Sequence, residues 1–167
     1  KLAIKDIKLR TFIAEGSSRN DLAAHVYDVT YGCIRTGEDT MVVIDDSIVR
    51  GTTLTRSILR ILDRLKPRRI IVVSSSPQVR YPDYYGIDLA NLQELAAFRA
   101  LIDMLLRDGR RADIDRAFEK AVANLEKPAE EEVNAVKDLY ALYSYEEISQ
   151  HIAQMLTPAG IDAKVDI

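Results

Sequence analysis

Val42-Val43-Ile44-Asp45-Asp46-Ser47-Ile48-Val49-Arg50-Gly51-Thr52-Thr53 runs from an apolar strand through two acids and a glycine-bearing loop to the start of a helix. It opens in a short β-branched run, Met41–Ile44, of the kind found in strands buried on both faces of a parallel sheet. Two carboxylates follow at once, then a loop with one glycine and the hydroxyls of Ser47, Thr52 and Thr53. From Thr52 onward Leu54, Ile58, Ile61, Leu62 and Leu65 recur at helical spacing until Pro67 stops the helix. A second Val/Ile run, Ile70–Val73, comes next. Strand, loop, helix and strand in this order make a βαβ unit, whose crossover is right-handed. A further strand is expected near Ile7–Ile13, and Pro77, Pro82 and Gly86 break the following stretch into turns.

The order of the residues in the loop carries chemistry. Open α/β sheets bind ligands at the carboxyl ends of their strands. A loop running from Ser47 to Thr53 into a helix offers free backbone N–H groups, and the helix dipole adds roughly half a positive charge, which together suit a phosphate. Gly51 lets the backbone approach closely or take a positive φ. Two adjacent carboxylates beside an anion are costly unless they meet hydroxyls or a cation, and a ribose with Mg²⁺ supplies both. No Gly-Lys-Ser/Thr follows, so the loop is not a P-loop. A plain structural alternative has Asp45 and Asp46 cap the turn and Thr52 start the helix; it explains each residue singly but not their order.

Beyond Asn91 the sequence turns helical. Apolar stripes run along Leu92–Leu106, along Ile114, Phe118, Val122 and Leu125, and along Val133, Val136, Leu139 and Tyr140. A last one, Ile148, Ile152 and Leu156, follows Ser144-Tyr145-Glu146-Glu147, which has capping-box spacing. Gly109, Pro128 and Ser144 divide the stripes, so at least three helices are expected between 98 and 156. The expected division is an α/β portion over 1–97 and a helical extension over 98–167.

Composition bounds the function. The 167 residues carry a net charge of -3, which speaks against a nucleic-acid partner, and no apolar run is long enough to suggest a membrane span. A single cysteine, Cys33, cannot build a disulfide framework or a metal cage and reads as a small buried hydrophobe; a cytoplasmic location is expected. His151, on a helix, is expected to be solvated, and His25 is read as a surface or hydrogen-bonded histidine. A chain opening at Lys1 is expected to be a piece of a longer protein.

The twelve-residue stretch resembles the phosphoribosyl-diphosphate (PRPP) motif of type I phosphoribosyltransferases. In its Asp-Asp-Ser-Ile-Val-Arg-Gly-Thr-Thr form it resembles that of the glutamine PRPP amidotransferases, or amidophosphoribosyltransferases. Arg10-Thr11-Phe12-Ile13, Ser76-Pro77-Gln78-Val79-Arg80-Tyr81-Pro82 with Tyr85-Gly86-Ile87-Asp88, and Glu94-Leu95-Ala96 resemble further stretches of that family. The resemblance implies an incomplete type I phosphoribosyltransferase-like parallel sheet with flanking helices, followed by the helical segment. It implies that Asp45 and Asp46 hold the ribose hydroxyls, directly or through Mg²⁺. It implies further that Ser47, Ile48, Val49, Arg50, Gly51, Thr52 and Thr53 wrap the 5′-phosphate. Arg50 has the alternative of orienting the loop or pairing with a carboxylate. The family's reaction, in purine synthesis, is attack of glutamine-derived ammonia on C1 of PRPP to give 5-phosphoribosylamine.

Several family features have no counterpart in this sequence. The glutaminase domain with its N-terminal cysteine, an upstream Pro-Asp-Ser-Gly segment and a lysine-bearing helix before the motif are not found. The chain is therefore expected to be a divergent phosphoribosyltransferase part, weak or inactive alone, that hydrolyses no glutamine. Its expected partners are PRPP, the missing glutaminase domain and further copies of itself. A PRPP-binding regulator and a base-salvage phosphoribosyltransferase are the alternatives. The acidic balance counts against the first, and the Arg-Gly in the loop against the second.

Overall fold

A computed structural model describes residues 3–5, 27–83 and 89–167, with backbone alone for 3–5, 27–29 and 129. The expected strand at Ile7–Ile13, the Arg10–Ile13 stretch, His25 and Tyr85–Asp88 lie outside the described residues. Strands β1 (Ala3–Lys5) and β2 (Tyr27–Val29) form a small antiparallel pair. The βαβ unit is present as read: β3 (Thr40–Asp45) and β4 (Arg69–Ser74) pair in parallel, with Met41 opposite Ile70 and Asp45 opposite Ser74.

The crossover helix departs from the regular period. It opens with a π-helical turn, Leu54–Ile58, in which the Leu59 amide donates to the Leu54 carbonyl, and continues as α1 (Leu59–Asp63). One added residue in a turn rotates everything after it. Leu59, off the stripe expected from regular spacing, is thereby fully buried with Leu54, Ile61, Leu62 and Leu65. Each such side chain contributes about 1.5–3 kcal/mol by leaving water.

The rest of the chain is α2 (Ala96–Arg107), α3 (Arg111–Asn124), α4 (Lys137–Tyr140) and α5 (Tyr145–Leu156), with short 3₁₀ turns at Leu92–Glu94 and Ala129–Glu131. The third expected stripe yields only the single turn of α4. Its Tyr140 is buried under the Arg80 guanidinium, 4.8 Å from the ring centroid, and donates its hydroxyl to the Arg80 carbonyl at 3.1 Å. Periodicity gave no sign of β5 (Lys164–Asp166), which joins in parallel beside β4 to give the order β3-β4-β5. So short a strand is too brief to show a period. Asp166 is held by an ion pair to Arg69, and the Asp63 carboxylate accepts the amides of Asp162 and Ala163 at 3.2 and 3.1 Å.

Three expectations about packing are corrected. The sheet is not covered on both faces among the described residues. Met41, Ile70 and Val72 lie in a core with α1, α2 and α5, whereas Val42 and Ile44, on the other face, are 62% and 76% exposed. Alternation puts the two sets on opposite sides of the strand, and the helices pack on one side only. His151 is buried rather than solvated, because its Nε2 reaches Asp103 Oδ2 at 2.6 Å and ties α5 to α2. Cys33, conversely, is exposed in the turn before β3, its thiol donating to the Thr30 carbonyl.

The capping box at α5 is formed. The Glu147 amide donates to Ser144 Oγ at 3.1 Å, and the Ser144 amide to Glu147 Oε2 at 2.7 Å. The Ser144 amide first, and the Ser144 side chain after it, hold the Glu147 carboxyl below the usual carboxylate range. Ser144→Ala is expected to cost about 1 kcal/mol in urea unfolding at neutral pH. A group with a lowered folded pKa stabilises above its unfolded value and ceases to do so as pH falls through the folded one. Ser144→Ala keeps the amide that holds Glu147, so the test of the reciprocal bond is Glu147→Ala: its cost should shrink in acid, and an unchanged cost there would exclude that bond as its source.

Candidate functional site

The carboxyl end of β3 carries Asp45, and Asp46 follows on the loop. Among the described residues β3 is an edge strand of its sheet and β4 the central one. Pairing continues past the strands, because the amides of Ser75 and Ser76 donate to the Asp45 and Asp46 carbonyls at 2.9 and 3.1 Å. The Ser75 hydroxyl also reaches the Asp46 carbonyl at 3.1 Å. The backbone under both carboxylates is thus fixed by the serines that follow β4.

Both carboxylates are solvent-facing. Each accepts the next amide in the chain, Asp46 N–H to Asp45 Oδ1 at 3.0 Å and Ser47 N–H to Asp46 Oδ1 at 2.7 Å. Partial burial pushes the Asp45 carboxyl up; the Asp46 amide opposes this and the Asp46 charge adds to it. A carboxylate raised by its surroundings and by a neighbour of like charge is one that a cation would relieve. Among the described residues no cluster of three or more His, Cys, Asp or Glu side chains could form a closed metal cage. Asp45 and Asp46 fit the other way of holding Mg²⁺, one or two protein carboxylates with the remaining positions taken by substrate oxygens and water.

The loop after them is pinned at three points. The Val49 carbonyl accepts the Ala96 amide at 2.7 Å. Arg50 pairs with Glu94, Nη2 to Oε2 at 2.6 Å, which is the carboxylate-pairing alternative for this residue. Gly51 has φ +73° and lies against Leu156 of α5. Ile48 packs on the core, while Thr52 and Thr53 are exposed. The first intrahelical bond runs from the Thr55 amide to the Gly51 carbonyl at 2.9 Å, so the amides of Thr52, Thr53 and Leu54 precede any intrahelical acceptor. No side chain caps this helix start, and Thr55 instead sends its hydroxyl to the Leu156 carbonyl at 2.8 Å. The residues singled out in the sequence, Asp45–Thr53, therefore sit together between a strand end and a helix start.

Sequence reasoning passed over the residues that hold the loop. Glu94 and Ala96 stand in a stretch already noted for its resemblance, and a carboxylate there was a usable signal for Arg50. Leu156, far along the chain from Gly51, gave none. A small cavity of about 40 Å³ lies beside the loop, lined by Ile48, Ser74, Ser76, Gln78, Tyr145 and Ser149. The Gln78 side chain donates to the Tyr145 carbonyl and Ser149 Oγ at 2.9 and 2.8 Å, fastening the Ser76–Tyr81 stretch to α5. A larger hollow of about 500 Å³, walled by Phe98, Ile102, Leu106 and Met155, shares no residue with the loop. No described helix is long and apolar enough to cross a membrane.

No family model matches the chain. Part of it is homologous to curated amidophosphoribosyltransferases. It is 46% identical over 57 residues to that of Pyrococcus horikoshii, 36% over 66 to that of Haemophilus influenzae and 34% over 88 to that of Methanocaldococcus jannaschii. These matches cover 34%, 40% and 53% of this chain, but only 12%, 13% and 18% of the relatives. The matched stretch thus spans less than a fifth of each relative's length.

Proposed function

We propose that the chain binds PRPP at the end of β3 and serves the phosphoribosyl-transfer step of an amidophosphoribosyltransferase of purine synthesis. The observation that carries this reading is the juxtaposition of two solvent-facing carboxylates with a pinned loop and an uncapped helix start. A sugar phosphate needs those groups in that order: acceptors for ribose hydroxyls, then amides for a phosphate. The similarity to amidophosphoribosyltransferases supports it.

In this reading Asp45 and Asp46 accept the ribose hydroxyls and hold Mg²⁺, which supplies charge neutralisation for the diphosphate. The amides at the start of the helix and the Thr52 and Thr53 hydroxyls take the 5′-phosphate. Arg50, engaged with Glu94, keeps the loop in place rather than grasping phosphate itself. In the whole enzyme ammonia would form the N–C1 bond as the C1–O bond to diphosphate breaks, and the ammonium product would release a proton. This chain's part is then positioning, with no side chain required as a base.

Calorimetric titration of PRPP with Mg²⁺ tests the reading, with Asp45→Asn and Asp46→Asn as the variants. Losing a charge-assisted hydrogen bond costs about 1.5–3 kcal/mol, so each variant should bind roughly 10- to 100-fold more weakly. Wild-type affinity in both would sink the proposal. Asp45→Asn carries an opposite expectation for the free chain. A carboxyl with a raised folded pKa destabilises once pH exceeds its unfolded value, fully so above the folded one. The variant should therefore melt at a higher temperature than the wild type at neutral pH while binding less.

A further inference from the structure

Helix α3 has no buried residue, although its sequence is that of a helix with an apolar face. Ile114, Phe118, Ala121, Val122 and Leu125 fall within one stripe at spacings of three and four. Ile114 touches the core, but Phe118 and Leu125 are 69% and 85% exposed, and Val122 is exposed too. Single exposed hydrophobics are ordinary; a row of them along one helix face is not. The steps Ile114, Phe118, Ala121 and Leu125, of four, three and four, are those of a seam between two helices.

Charge tells which partner fits. Around the start of α3 stand Arg107, Arg110, Arg111 and Arg116, opposed by Asp108, Asp113 and Asp115. Beyond Phe118 come Glu119, Glu126 and the run Glu130-Glu131-Glu132, opposed by Lys120 and Lys127. The first group is net basic and the second net acidic. Within the first, Asp113 takes ion pairs from both Arg110 and Arg116. Arg107 and Arg111 reach only Asp108 and Asp115, in exposed pairs of little strength. These two arginines and the glutamates past Leu125 are left to act outward.

We infer that α3 pairs antiparallel with α3 of a second copy of this chain. A two-fold axis makes this the natural arrangement, because it sets the basic start of each helix beside the acidic end of the other. Parallel pairing would bring like ends together. At about 1.5 Å per residue the seam from Ile114 to Leu125 is roughly 17 Å long, which is small, so the dimer belongs to the weak, concentration-dependent class. None of the seam residues belongs to the Asp45–Thr53 loop.

Sedimentation equilibrium of the full chain over a range of concentrations tests the inference. The wild type should show a reversible monomer–dimer equilibrium that weakens with salt. Phe118→Glu with Leu125→Glu should raise the dissociation constant at least about 100-fold. Both positions are exposed, so an unchanged circular dichroism spectrum and melting temperature are expected. Arg107→Glu with Arg111→Glu should weaken the dimer about tenfold, and adding Glu130→Lys with Glu132→Lys should restore it. A monomer at every concentration, a dimer indifferent to Phe118→Glu with Leu125→Glu, or charge reversal that the second pair fails to rescue would each overturn it.

Discussion

Gly51→Val is expected to destabilise the chain by about 3 kcal/mol in urea unfolding, from two costs that combine. A side chain at φ +73° is held in the left-handed region, worth about 1–2 kcal/mol, more for a β-branched residue. A Cβ there would also lie 2.4 Å from Leu156 Cδ1 and 2.5 Å from Cδ2, and overpacking a core costs about 1–3 kcal/mol. Gly51→Ala should lose about half as much, because Leu156 can shift its methyls but valine's branch leaves them less room. Thr53→Ala, at an exposed position with no cap bond, should be nearly neutral. Valine tolerated within about 0.5 kcal/mol would show that the loop can retreat from α5. The positive φ is one of the two roles the sequence offered for this glycine; the contact with Leu156 is the one it could not show.

Leu156→Ala should cost about 2–5 kcal/mol, the range for truncating a buried leucine. It should also weaken PRPP binding without touching the ligand, because Leu156 backs Gly51 and its carbonyl holds Thr55. Urea unfolding gives the first quantity and calorimetry on the folded variant the second. Lost stability with wild-type affinity would mean that α5 supports the fold but does not set the loop. Combined with Gly51→Ala, the two changes should be non-additive by about 0.5–3 kcal/mol, since the cavity left by one accommodates the methyl of the other.

The local part of this architecture was legible. Val42–Ile44, the aspartates, Gly51 and the stripe after it are neighbours in sequence, and short-range pattern reports short-range structure. The capping box at Ser144 was legible for the same reason. What escaped depends on distant partners. Leu59 is buried because a π turn shifts the phase of its helix, and β5 is a strand because Asp63 and Arg69 receive it. His151 needed Asp103 to become a core residue. At the site the chain's own order marked Asp45–Thr53 but not Glu94, Ala96 or Leu156, which hold the loop from elsewhere.

The contact between Gly51 and Leu156 also fixes an order of events during synthesis. The loop leaves the ribosome well before the side chain it rests on, the carbonyl that receives Thr55 and the strand that flanks β4. Contacts so far apart form late, since closing the long intervening segment must come first. A growing chain therefore carries Asp45–Thr53 without its backing through the making of every helix from α2 to α4. It acquires a finished loop only once α5 has emerged and docked.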